Sequence, residues 1–117
     1  WYEDSVLYLS QENAEIIISI NASPYERGKI NTRLEIAKSH CKNHKLSLIY
    51  VNMVGGQDNI VFDGASFIVN NKAQICTFLN FWERNIFITE VISKDSQIEV
   101  YPVLINEIPS PKQLDYE

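Results

Sequence analysis

Two nearly unbroken apolar runs, 15-EIIISI-20 and 46-LSLIYVNM-53, flank a stretch of helical period, and this arrangement limits the folds open to the chain. β-Branched residues without polar alternation predict strands buried on both faces, as in sheets covered by helices. Between them, from about Gly28 to Asn43, Ile30, Leu34, Ala37 and Cys41 recur at helical spacing with charges between them. A strand, a helix and a second strand in that order form the α/β unit.

The remainder is built differently. Residues 4–13 predict a short amphipathic helix, with Asp4 or Ser5 as N-cap, Val6, Leu7 and Leu9 on its apolar side, and Asn13 closing it. After the second strand, Gly55-Gly56 is expected to break the chain. Strand-like segments follow at Ile60–Phe62 and Ser66–Val69, joined by the turn pair Asp63-Gly64. Asn70-Asn71-Lys72 reads as another turn, Ala73–Leu79 as the returning strand, and 86–91 as one more short strand. From Ser93 onward three of the four prolines appear and periodicity fades. That segment reads as an extended linker, with Ile98, Val100, Val103 and Leu104 clipped onto a surface.

Composition narrows the function. The chain has 117 residues, enough for one modest domain, with 45% hydrophobic and 21% charged residues. A net charge of −5 and the lack of a basic stripe argue against nucleic acid as a partner. No apolar run is long enough to cross a bilayer, and no signal-peptide pattern opens the chain, so a cytoplasmic location without membrane contact is expected. Cys41 and Cys76 lack zinc-like or CxxC spacing and fit free thiols in a reducing compartment. The first residue is Trp1, which suggests processing or a piece of something longer.

Four groups of residues have a chemical reading beside a plainer one. The elbow 21-NASPYERGK-29 lies between the end of a strand and the start of a helix, where α/β sheets gather ligands and unpaired N–H groups attract anions. Ser23, Arg27 and Lys29 can hold a carboxylate there. On spacing alone, a capped helix turned by Asn21 or Ser23, stiffened by Pro24 and carrying solvated charges, is favoured. In 55-GGQDNIVFDGAS-66, Gln57, Asp58 and Asp63 can line a pocket, but a hairpin with polar turns fits the pattern better. His40 and His44 are four apart, as metal ligands on one helix face would be, yet no third ligand is in register and helix-end histidines suit the dipole. Cys41 falls on the apolar stripe and Cys76 faces inward on a strand, so both read as packed thiols rather than nucleophiles. Phe78, Phe81 and Trp82 read as a packing cluster.

Taken together, AEIIISINASPYERGK, RLEIAKSHCKNHKLSLIYVNMVGGQDNIVFDGASFIVNN and the Trp-containing opening resemble the glutaminase domain of bacterial glutamine-dependent NAD synthetases. That domain is a branch of the nitrilase, or carbon–nitrogen hydrolase, superfamily. The resemblance covers about residues 1–92. The tail, 93–117 with its closing 113-QLDYE-117, is similar to the connection that precedes the synthetase domain.

The resemblance implies an α/β fold, a nitrilase-like α-β-β-α sandwich of which this chain is the second half. It implies a Glu base, a Lys that stabilises the tetrahedral intermediate and a Cys nucleophile that attacks the glutamine side-chain amide. Trp1 matches the Trp that ends the family's Cys-Glu-Asp-x-Trp motif. The nucleophile is therefore expected just before Trp1, with the Glu and Lys further upstream, and the chain alone is expected to be inactive. Ser23 and Lys29 match the family's glutamine-binding positions. The resemblance also implies deamido-NAD and ATP as partners and Mg as a cofactor, all in a synthetase domain outside this chain, and a homo-oligomer at full length. Two other readings stand beside this one. The first is another nitrilase-type amidase, which the VGGQD run and the QLDYE tail argue against. The second is a non-catalytic remnant or interaction module, whose half-sandwich would expose an apolar sheet face.

Overall fold

The computed structural model describes residues 3–95 and 97–102. Helix α1 spans Glu3–Gln11, strand β1 Ile16–Asn21, helix α2 Lys29–His44 and strand β2 Ser47–Asn52. Strands β3 (Val54–Gln57), β4 (Ile60–Asp63), β5 (Phe67–Val69) and β6 (Ile75–Phe78) follow, and then β7 (Thr89–Lys94) and β8 (Gln97–Pro102). The α/β unit is as expected: β1 and β2 pair in parallel, and α2 makes the crossover. The same sheet then turns antiparallel, in the order β1-β2-β5-β6.

Cross-strand partners face the same side of a sheet, so the register sorts the residues. Ile17, Leu48, Tyr50, Phe67, Val69 and Phe78 face α2 and pack with Ile30, Leu34, Ala37 and Cys41. The Tyr50, Phe67 and Phe78 rings lie nearly parallel, 4.7 and 6.5 Å apart, and Phe81 continues the row 5.8 Å from Phe78. Cys41 lies in this core, and burial, with a smaller contribution from Cys76, pushes its thiol up to about 12. Burial also raises the half-buried Cys76 thiol.

The opposite face departs from the expectation of strands covered on both sides. Ile18 is 60% and Ile20 83% exposed, and Val51 is exposed beside them. Ile68 and Thr77 on this face are buried. A cleft lies beside them, walled by Ile49, Asn80, Arg84 and Phe87.

Several local expectations change. Among the described side chains of α1, Val6 alone reaches the core and Leu7 and Leu9 are exposed, and the helix spans Glu3–Gln11, so Asp4 and Ser5 lie inside it. Asn13 does take the left-handed backbone expected of a closing residue. Gly55-Gly56 lies inside β3, which pairs with β4 around an Asp58-Asn59 turn, so the hairpin turn falls there and not at Asp63-Gly64. Gly64 (φ 69°) instead redirects the chain toward β5. A Cβ there would meet that of Val54 at 3.4 Å, and both facts favour glycine. The strand expected at 86–91 begins only at Thr89. The segment read as a linker continues it as the hairpin β7–β8, with Val100 buried and the Ile98 carbonyl accepting bonds from Ser47 and Asn71. Val103, Leu104 and the QLDYE close lie outside the described residues.

Candidate active-site elbow

β1 ends at Asn21 and α2 begins at Lys29, so the elbow crosses the C-terminal edge of the parallel strand pair. The N-cap of α2 is Gly28, with φ 76° and no side-chain cap bond. Asn21 and Ser23 are therefore free of the capping duty the plainer reading gave them. Asn21 turns back instead to donate to Ser19 Oγ at 2.8 Å.

A buried polar knot holds the elbow in place. Arg33 is on the core side of α2 and is 3% exposed, and Asp63, at the end of β4, is 1% exposed. Arg33 Nη1 donates to Asp63 Oδ2 at 2.8 Å. Its Nη2 reaches the elbow, donating to Ser23 O at 3.1 Å, Ser23 Oγ at 3.0 Å and Pro24 O at 3.1 Å. Asn52, at the end of β2, completes the knot. Its Oδ1 accepts from Ser23 N at 2.9 Å, and its Nδ2 donates to Gly64 O at 3.0 Å, Ser23 O at 3.3 Å and Asp63 Oδ1 at 3.4 Å. Buried charge is tolerated when it is paired and hydrogen-bonded, as here. Tyr50 lies beneath the knot. Burial raises its phenol above the ordinary value, and Arg33 and a hydrogen bond from Ser23 partly offset the rise.

Lys29 lies on the outer side of the same elbow. Its Nζ donates to Pro24 O at 3.3 Å and lies 3.7 Å from Glu26 Oε1, with the side chain 30% exposed. Ser23 and Lys29 thus bracket Pro24, and Arg33 and Lys29 share its carbonyl. Arg27 is exposed. Tyr25 N–H donates to Val61 O at 2.8 Å, which ties the elbow to β4, and the Tyr25 ring meets Trp82 edge-on at 5.0 Å. Trp82 therefore belongs with the elbow rather than with Phe78 and Phe81.

Of the three polar residues read in the 55–66 stretch, the structure brings only Asp63 to the elbow, while Gln57 and Asp58 are exposed at the β3–β4 turn. His40 is buried and His44 half-buried, their rings 6.3 Å apart. Among the described residues no three His, Cys, Asp or Glu side chains converge to hold a metal ion. Sequence reasoning missed Arg33 and Asn52. A signal for Arg33 was present, since it shares the apolar stripe of Ile30, Leu34 and Ala37, where a solvated charge does not belong.

No family model matches the chain. The glutamine-dependent NAD(+) synthetase of Rhodobacter capsulatus is 32% identical over 116 residues, covering 99% of this chain and 21% of that protein. The synthetase of the same name from Acinetobacter baylyi is 41% identical over 75 residues, 64% of this chain and 14% of the relative. The solved Acinetobacter baumannii glutamine-dependent NAD+ synthetase superposes with a TM-score of 0.82 at 30% identity, covering 98% of this chain and 21% of that one. This chain belongs to the glutamine-dependent NAD(+) synthetase family.

It spans only about a fifth or less of the length of these relatives. A carbon–nitrogen hydrolase from Helicobacter pylori shares the fold, with a TM-score of 0.60 at 20% identity over 87% of this chain and 35% of that protein. The matched region of the synthetase family thus has the fold of a carbon–nitrogen hydrolase. The structure supplies one helix layer and one sheet of an α-β-β-α sandwich.

Proposed function

We propose that this chain is the substrate-holding part of a glutaminase that releases ammonia from L-glutamine for the ATP-dependent amidation of deamido-NAD. The observation that carries the reading is the elbow itself. Ser23 and Lys29, the positions that match the family's glutamine-binding residues, bracket one rigidly bonded turn at the C-terminal edge of the parallel strands. Ser23 offers a hydroxyl to the amino-acid end of glutamine. Lys29, at the start of α2, where the helix carries no acidic residue in its first turn, holds the carboxylate.

In this reading a thiolate attacks the side-chain amide carbon, and the tetrahedral intermediate collapses with loss of ammonia. Water then cleaves the glutamyl thioester and restores the thiol. The nucleophile, the base and the stabilising lysine are assigned to sequence before Trp1. Cys41 is unsuited to the role, because it is buried and held as a neutral thiol. ATP and Mg are assigned to a synthetase domain outside this chain, and none of the residues described here is assigned to either.

The test is made in a hybrid in which this chain replaces the matching segment of the Rhodobacter capsulatus synthetase. Lys29→Ala should raise KM for glutamine about tenfold, the cost of one charge-assisted hydrogen bond, and affect ammonia-driven synthesis far less. Equal loss with both nitrogen donors would refute the assignment.

A further inference from the structure

We propose that Arg33 is the residue that positions Ser23, holding its hydroxyl oxygen at a fixed place in the elbow. The inference rests on the reading of Ser23 as a glutamine ligand and adds a second residue that acts through it. A free serine hydroxyl can rotate and can either donate or accept. Here Arg33 Nη2 donates to Ser23 Oγ at 3.0 Å, so one lone pair of that oxygen is committed inside the protein. A guanidinium has no acceptor to offer in return. The Ser23 proton is therefore directed to an acceptor other than Arg33: the Tyr50 phenol, which takes a hydrogen bond from Ser23 within the protein, or a carboxylate or carbonyl oxygen of a bound substrate in its place.

The guanidinium is itself held in place. Asp63 Oδ2 takes Nη1 at 2.8 Å, which leaves the same plane to present Nη2 to Ser23 O, Ser23 Oγ and Pro24 O. Asn52 fixes the same turn from the other side, through Ser23 N and Ser23 O. Two elements, α2 and β2, thus meet on the backbone of one serine, and β4 holds both through Asp63. A fork of this kind is specific to arginine. A lysine can pair with Asp63 as a point charge but cannot reach Ser23 Oγ and both carbonyls with fixed geometry.

The test is a double-mutant cycle in the hybrid described above, with KM and kcat for glutamine measured for Ser23→Ala, Arg33→Lys and the pair. Ser23→Ala and Arg33→Lys should each raise KM about tenfold with kcat changed less, and the double variant should be no worse than either single one. If the two effects multiply to about a hundredfold, or if Arg33→Lys leaves KM unchanged while Ser23→Ala raises it, the positioning role is overturned. If Ser23→Ala alone leaves KM unchanged, the reading of Ser23 as a ligand fails first, and the proposal fails with it. Asp63→Asn provides a second route should Arg33→Lys fold poorly. It keeps an acceptor but loosens the guanidinium, so its KM increase should likewise vanish in the Ser23→Ala background.

Discussion

The two faces of the four-stranded sheet come from the same strands and have different fates. On the α2 side, Ile17, Leu48, Tyr50, Phe67 and Val69 are buried, and at its upper edge the face ends in the Arg33–Asp63–Asn52 knot. On the other side, equally apolar Ile18, Ile20 and Val51 are exposed. An apolar run therefore reports what a strand is suited to contact, and only packing reports what it does contact. The helix-covered face combines a hydrophobic layer that stabilises with a polar layer that positions. On the open face packing reaches only Ile68 and Thr77 beside the cleft, and the β1 edge stays bare among the described residues.

The polar layer offers the largest expected effect. Asp63→Ala would leave the Arg33 guanidinium buried and unpaired, which costs about 3–5 kcal/mol. Chemical denaturation of the chain should show most of its stability lost. A change under about 0.5 kcal/mol would mean that the pair is solvated and that the knot does not seal this edge.

Next comes the Cys41 thiol on the core side of α2. Burial holds Cys41 near 12 against an ordinary 9.0, so the native state keeps its proton where the unfolded chain gives it up. The stability this contributes is complete below pH 9 and is lost as pH rises from 9 through about 12. Denaturation midpoints should therefore fall between pH 9 and 11, and Cys41→Ala should flatten that slope. Equal slopes in both proteins would place the thiol in contact with solvent.

The legible parts of the fold were those fixed by local chemistry. The α/β unit follows from the unbroken apolar runs on either side of a stripe at helical spacing, and α2 lies within one residue of its expected range. The elbow was legible as a place, because a strand ending in Asn-Ala-Ser-Pro before a helix cannot continue either element. Its wiring was not. Arg33–Asp63 joins residues 30 apart and Ser23–Asn52 residues 29 apart, and no local propensity encodes such pairings. The β7–β8 hairpin was missed for a related reason. Its register and the contacts of Ile98 and Val100 are tertiary, whereas prolines and fading periodicity are local signals of a linker. Gly55-Gly56 misled in the same way, since glycines that usually interrupt strands are accommodated inside β3 by pairing with Phe62 and Val61.

The smallest expected effect tests the comparison of faces most directly. Leu34→Ala on the covered side removes a side chain that is 3% exposed and should cost about 2–5 kcal/mol. Ile20→Ser on the open side removes one that is 83% exposed and should change the stability of this chain by less than about 0.5 kcal/mol. Leu34, on α2, packs against one face of the sheet and Ile20 lies on the other, so the ratio of the two costs measures the asymmetry without reference to function. Sedimentation at rising concentration adds a second reading, because an exposed isoleucine row favours self-association. Ile20→Ser should weaken any such association while leaving the unfolding midpoint at low concentration where it was. If Ile20→Ser instead costs as much as Leu34→Ala in dilute solution, the open face is covered within the chain itself, and the two faces are alike after all.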